Sequence, residues 1–572
     1  MLTVIEKLNG IRKEMQKEGI DAYIIVTYDF HNSEYVGEYF KTREYMSGFT
    51  GSAGSLVITE HEACLWTDGR YFIQAEAQLA GSSIKLMKMR MEGTPTIPEY
   101  LNKTLGHKAV IGFDGRTVSC AFVKDIEKGL PGRDLKFVYQ HDLVSRIWED
   151  RPILSAQPVW ELGIEYAGLS AADKLFAIRG KMSESGADTF VITALDEIAW
   201  LLNLRGGDVS YCPVFLAYMI LHRDRAYLYV QEGVVSPDIE QKLKAIGVNL
   251  REYHDFYRDL EALDENSSVL ASGSAVNYMV NRSIPAAVKR INRPSPICMM
   301  KAVKTPAECE NIKKAHIKDG VAVTKFIYWL KNTVGREPVT EISAARKLLE
   351  FRKQQAGFLY ESFEPIMGYG AHGAIVHYSA TEETDIPLAP KGLLLSDTGG
   401  HYIEGTTDIT RTIALGELTD EEKEYFTVVL AGHLNLSEAK FMYGTRGANL
   451  DFLARKPLWN KGVDYNHGTG HGVGYLLNVH EGPNSFTWQV RDGAVISAVF
   501  EEGMVTSNEP GFYAEGKFGI RHENLLLCVK AEKNPYGQFM KFENLTMAPF
   551  DLDAVIPELL TPRQRELLNL YH

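Results

Sequence analysis

Apolar and polar positions divide this 572-residue chain into two halves of different character. In the first half, charged amphipathic stretches alternate with short, uninterrupted apolar runs. The opening MLTVIEKLNGIRKEMQKEG spaces its apolar residues at helical intervals and stops at a glycine. The run AYIIV follows and reads as a buried strand. The same sentence is written twice. IRKEMQKEGIDAYIIVTYD, from Ile11 to Asp29, matches IRGKMSESGADTFVITALD, from Ile178 to Asp196, at one constant offset. Arg12, Met15, Gly19, Asp21 and Asp29 fall on Arg179, Met182, Gly186, Asp188 and Asp196 without a gap. Duplication is the expectation, with two related α/β domains over 1–158 and 159–299.

Neither copy carries obvious chemistry. The first contains FTGSAGSLVITEHEACLWTDGRYFIQAEAQL, a glycine turn, an alternating strand, and WTDGRYF ahead of a helix. Its GSAG lacks both the phosphate-loop spacing and the dinucleotide fingerprint, so nucleotide binding is not expected. The second contains LDEIAWLLNLRGGDV, an amphipathic helix ending at glycines, whose acids read as caps and solvated charges. A third domain, 300–572, opens with Thr305-Pro306-Ala307-Glu308: a capping threonine, proline at the first helical position and an acid at the third. A helix over Val339–Gln355 follows, and then the pattern changes to glycine-punctuated strands.

Composition narrows the classes. A net charge of −13 disfavours a general nucleic-acid or anionic-membrane partner. No apolar run reaches the ~18 residues that span a bilayer. The N-terminal stretch lacks the apolar core of a signal peptide. Six cysteines at 64, 120, 212, 298, 309 and 528 occur singly, as free thiols would in a reducing compartment. A cytoplasmic location is therefore expected.

The candidate chemistry lies in LLLSDTGGHYIEGTTDITRT, HGTGHGVG, SNEPGFY and IRHENLL. Asp397 and Asp408 are symmetric about Tyr402–Ile403, and Glu509 and Glu523 about Gly516 in AEGKFG. If each stretch is a hairpin, each pair faces across two antiparallel strands at about 5 Å. Two such pairs with one imidazole make a cage of the kind that holds two divalent ions about 3.5–4 Å apart. Asp397 alone reads as a turn residue before Thr398-Gly399-Gly400. Asp408 sits in GTTDITRTIAL, among β-formers where aspartate is disfavoured, so a buried acid there needs a partner: Arg411 or a metal.

His467 and His471 have helical spacing, yet glycines at 468, 470, 472 and 474 argue for a tight loop whose backbone passes close to something. One imidazole is placed to coordinate and the other to hydrogen-bond. His480 in NVHEGP and His377 in AIVHYSA are further candidates.

These motifs together resemble the pita-bread metallopeptidases, and the whole chain resembles the three-domain Xaa-Pro aminopeptidases. The resemblance runs from FTGSAG and WTDGRYF through LDEIAWLLNLRG to DTG, EGTTDITRT, HGTGHGVGYLLNVHEGP, NEPGFY, RHENL and the tail ending NLYH. It implies a mixed α/β and α+β architecture, with two duplicated creatinase-N-type α/β domains followed by a pita-bread catalytic domain. It implies five metal ligands: Asp397 on one ion, Asp408 and Glu523 bridging, and His471 and Glu509 on the second. Oxygen donors with one imidazole suit Mn²⁺, Zn²⁺, Co²⁺ or Fe²⁺, and the family favours two Mn²⁺.

The implied reaction is release of the N-terminal residue from peptides with proline second, through a metal-bridging hydroxide. Glu509 would be the general base, His377 and His480 would hold the oxyanion and the proline-side carbonyl, and His467 would shuttle protons. Arg521, two residues before Glu523, would orient that bridging carboxylate. A homodimer is also implied. Gly368-Tyr369-Gly370-Ala371-His372 departs from the family's pattern ahead of His377, which bears on preference for the residue before proline. The competing readings are prolidase, methionine aminopeptidase, a metal-free creatinase-like hydrolase and a non-catalytic binding protein on the same fold.

Overall fold

The structure is a computed structural model that describes residues 2–273, 275–491, 494–495 and 497–572. Backbone packing groups the chain into two compact units, one of Met1–Leu162 with Ser170–Ile297, the other of Gly163–Leu169 with Cys298–His572. Among the described residues no helix is long and apolar enough to cross a membrane.

The first unit repeats one design. The helix Val4–Glu18 starts at a Thr3 capping box and stops at Gly19, whose φ of 64° is the left-handed cap that glycine accepts without strain. Its counterpart Ala171–Ser185 is capped by Ser170 and stops at Gly186. Each helix feeds a fully buried strand, Ala22–Val26 or Thr189–Ile192. Each of these strands sits third from one edge of a six-stranded sheet. In both sheets it pairs antiparallel with the next strand of the meander, which pairs antiparallel with the one beyond, and every other pairing is parallel. Two sheets with one strand order and one set of polarities are what a duplicated sequence should build. One boundary differs from the sequence expectation. The helix Leu195–Leu202 ends at Asn203, with φ 55°, and not at the glycines beyond it. Asparagine tolerates that left-handed conformation, so it caps the helix first.

In the second unit, Thr305 caps the helix Pro306–Thr333 with Pro306 at its start and Glu308 closing the capping box, and the helix Glu341–Lys353 follows. The strand Leu393–Thr398 then lies between Ile366–Tyr369 and Ile409–Ala414, antiparallel to both. A four-stranded sheet orders Lys440–Met442, Gly537–Asn544, Asn524–Asn534 and Val505–Asn508. The hairpin Gly511–Ala514 with Phe518–Arg521 continues the register of Val505–Asn508 with Asn524–Asn534. The long helices bury apolar faces against these strands, as where Phe426, Val429 and Leu430 meet Ile520 and Phe518. The six cysteines are free thiols, as their scattered positions predict.

Candidate metal centre

The acidic residues come together where three strand systems meet. Asp397 is the penultimate residue of Leu393–Thr398. Asp408 immediately precedes Ile409–Ala414. Glu509 and Glu523 lie in the gap between two coaxial ladders. Gly511 pairs with Arg521 and Asn508 with Asn524, which sets Glu509 directly opposite Glu523, as the sequence symmetry predicts. The aspartate pair differs. Asp397 faces Thr410, and one further step along the ladder puts Asp408 opposite Gly399. The turn falls at Ile403–Glu404, one residue later than the expected centre, because Tyr402 still pairs with Gly405. The aspartates are therefore diagonal neighbours, a separation of about 7–8 Å between Cα atoms that their side chains span.

One donor atom each from Asp408, His471 and Glu523 lies within 4.8 Å of the others. The Nε2 of His471 is 3.5 Å from Asp408 Oδ2 and 3.3 Å from Glu509 Oε1. Its Nδ1–H donates to the Gly472 carbonyl at 2.9 Å, which aims Nε2 at the carboxylates, the usual arrangement of a metal-binding histidine. The glycines of HGTGHG have their reason here: a Cβ on Gly470 would stand 1.8 Å from the Ser507 carbonyl oxygen. Ser507 in turn accepts the His471 backbone N–H at 2.9 Å and donates to Glu509 at 3.1 Å.

Arg521 takes a different partner from the one the sequence suggests. Its guanidinium is 2.5 Å from Asp397 Oδ2, where spacing pointed to Glu523. The strand ends at Arg521, and His522 and Glu523 lie in the gap between the two ladders, which leaves the guanidinium facing Asp397 across the sheet. Contact with Glu523 is indirect. Thr410 accepts from Arg521 Nε at 3.3 Å and donates to Glu523 Oε2 at 2.7 Å. Arg411 does not serve Asp408 either. Its guanidinium binds the carbonyls of Thr410, Glu523, Ala548 and Pro549 and the Tyr571 hydroxyl.

The electrostatics are those of a site short of positive charge. Burial pushes the Asp397 carboxyl up to about 6, with Arg521 opposing and Asp408 adding to the rise. Burial and the charges of Asp408, Glu509 and Asp397 hold Glu523 well above the ordinary glutamate range. Burial would lower the His471 pKa, but Asp408 and Glu509 outweigh it and push the imidazole up to about 9. Asp397 Oδ1 is buried without a hydrogen-bond partner. Four carboxylates, an aimed imidazole and an orphaned carboxylate oxygen fit divalent cations well.

Two further candidate histidines touch this group or its immediate neighbours. The His480 ring packs edge-on against His471, centroids 4.2 Å apart. His467 donates through Nδ1 to the Gly468 carbonyl, and its Nε2 is 2.8 Å from the Tyr513 hydroxyl. Arg521 donates to that hydroxyl at 2.8 Å. His377 is half-buried and follows Val376, whose carbonyl accepts from Arg521 at 3.3 Å. His372, in the GYGAH stretch, bonds the buried Glu341 at 2.9 Å. Sequence reading missed Thr410, Tyr513 and Ser507. Only Thr410 left a usable signal, two residues from Asp408 on the same strand face.

Comparison with known proteins agrees with this geometry. Residues 7–147 and 150–308 each match the creatinase/prolidase N-terminal domain. Residues 310–530 match metallopeptidase family M24, and 538–572 match the C-terminal region of that peptidase. Aminopeptidase P2 of Arabidopsis thaliana is 39% identical over all of this chain and 85% of its own. The X-prolyl aminopeptidase of Caenorhabditis elegans, a cytosolic enzyme with a di-nuclear active site, superposes with a TM-score of 0.95 at 33% identity, covering 100% of this chain and 95% of that one. A prolidase of Pyrococcus horikoshii reaches a TM-score of 0.52 at 25% identity, covering 66% of this chain and 99% of its own. The chain belongs to the Xaa-Pro aminopeptidase (aminopeptidase P) family of M24 metallopeptidases, with creatinase-type α/β domains ahead of a pita-bread domain.

Proposed function

We propose that this chain is a dinuclear metallo-exopeptidase that releases the N-terminal residue from peptides with proline in second position. The carrying observation is the convergence of Asp408, His471 and Glu523 within 4.8 Å, with Glu509 3.3 Å from His471. Asp397, Asp408, His471, Glu509 and Glu523 would hold the two divalent ions, for which Mn²⁺ is the proposed metal. Bound divalent ions supply Lewis acidity, which acidifies water and polarises the scissile carbonyl.

The chain's own residues do the rest. Glu509 accepts the proton of the attacking water at its carboxylate. His480 and His377 donate hydrogen bonds to the developing oxyanion and the proline-side carbonyl. His467 passes protons along its contact with Tyr513, and Arg521 fixes Asp397. The scissile X-Pro bond is a tertiary amide without an N–H, so recognition must rest on the carbonyl oxygen and the ring.

Two N-terminal sheets of one design favour the aminopeptidase over prolidase, whose relative spans 66% of this chain. We assign the domains as 1–158, 159–299 and 300–572, and place the protein in the cytoplasm as a homodimer. The test is hydrolysis after chelation and after Mn²⁺ addition. Metal-restored release of arginine from Arg-Pro-Pro supports the reading. Cleavage of Gly-Pro with Arg-Pro-Pro left intact reverses it in favour of a dipeptidase.

A further inference from the structure

A buried ion cluster lies behind the candidate metal centre, made of residues that no part of the proposed chemistry uses. Lys301 and Lys304 precede the helix Pro306–Thr333, and each is 4% exposed. Their ammonium groups enclose the carboxylate of Glu481, also 4% exposed: Lys301 Nζ is 2.7 Å from Oε2 and Lys304 Nζ donates to Oε1 at 3.0 Å. Burying three charged groups in one place is costly unless their geometry is fixed, and removing one partner costs more than removing all three.

Glu481 reaches the site by two routes. It directly follows His480, so holding its side chain fixes the backbone from which that imidazole projects. Its backbone N–H donates at 2.7 Å to the Gly472 carbonyl. The same oxygen accepts the Nδ1–H of His471 at 2.9 Å. One carbonyl thus ties the Glu481 segment to the imidazole whose Nε2 faces Asp408 and Glu509. The fit is close: a Cβ on Gly474 would stand 2.7 Å from Glu481 Oε2, so that glycine leaves room for the carboxylate.

We infer that Glu481, clamped between Lys301 and Lys304, is a positioning residue that sets the direction of the His471 and His480 imidazoles. The inference rests on the metallopeptidase reading above. Outer partners of metal-binding histidines change metal affinity or activity by about 10–100-fold when removed.

The test compares wild type, Glu481→Gln and the charge-free triple variant K301M/K304M/E481L by Mn²⁺ titration of chelated protein and by Arg-Pro-Pro kinetics. The triple variant leaves no unpaired buried charge, so it answers the question even where Glu481→Gln fails to fold. The expected result is a folded triple variant with Mn²⁺ affinity down about 10–100-fold. Its kcat should fall by about tenfold or more while KM stays within about threefold. A folded triple variant with wild-type Mn²⁺ affinity and kcat overturns the inference and leaves the cluster a purely structural one. A wild type that takes up no Mn²⁺ overturns the metal-centre reading, and the inference with it.

Discussion

Replacing Arg521 with methionine removes the guanidinium that touches the buried Asp397 carboxylate at 2.5 Å. With Arg521 present, burial still lifts Asp397 from the ordinary 3.8 to about 6. At about 1.4 kcal/mol per pH unit, that rise is worth about 3 kcal/mol. The sign follows from proton binding. A raised carboxyl binds its proton more tightly folded than unfolded, so metal-free stability falls as pH climbs from 3.8 to about 6 and stays low above. At neutral pH the metal-free protein therefore carries a penalty of about 3 kcal/mol, which a bound cation relieves.

Without the guanidinium, Asp397 moves higher still and reaches working pH largely protonated. An incoming cation must then expel a proton. The expected loss for Arg521→Met is about 10–100-fold in Mn²⁺ affinity near neutrality. That loss should shrink as pH rises, by up to about tenfold per pH unit. Arg521→Lys retains charge without the planar fork and should fall between. Calorimetric Mn²⁺ titrations over about pH 6.5–8.5 measure both slope and offset. Wild-type affinity and wild-type pH slope in Arg521→Met would refute the reasoning.

Three further outcomes are expected. His433, buried against the Asn508 carbonyl, is held down to about 3 by burial and by Arg411. A depressed histidine contributes stability above its unfolded value near 6.5 that is lost as pH falls toward 3, so urea midpoints should drop by the equivalent of about 2 kcal/mol near pH 5; an unchanged midpoint in this window contradicts the assignment. Gly470→Ala drives a Cβ to 1.8 Å from the Ser507 carbonyl, so thermal denaturation should reveal a loss of more than about 3 kcal/mol; a melting temperature equal to wild type contradicts the packing. Tyr513→Phe breaks the hydroxyl contact between His467 and Arg521. Steady-state kinetics should give a kcat lowered about tenfold with metal content retained, and an unaltered kcat argues against the proton route.

The clustering of the candidate ligands was legible because their spacing follows from hairpin geometry. The Glu509–Glu523 hairpin closes around Gly516, and a left-handed glycine at the turn leaves one register. The Asp397–Asp408 hairpin was displaced by one residue at its turn. Its centre depends on the Tyr402–Gly405 pairing, which depends on Gly405 adopting φ 144°, and a glycine-rich segment does not announce which of its glycines will do so. The duplicated half was legible as a shared pattern of helix, glycine stop and buried strand. Arg521's choice of Asp397 was not, because the two meet across separate strand pairs and depend on how the hairpin ladder breaks at His522. Nor did sequence show that Lys301, Lys304 and Glu481 share one buried cluster, since 177 residues separate Lys304 from its partner.

Diffraction from crystals soaked in Mn²⁺, recorded at the manganese absorption edge, addresses the two-ion cage most directly. Two anomalous peaks about 3.5–4 Å apart, enclosed by Asp397, Asp408, His471, Glu509 and Glu523, are the expected result. A single peak, or peaks that avoid Asp408 and Glu523, would contradict a dinuclear centre built from these five residues.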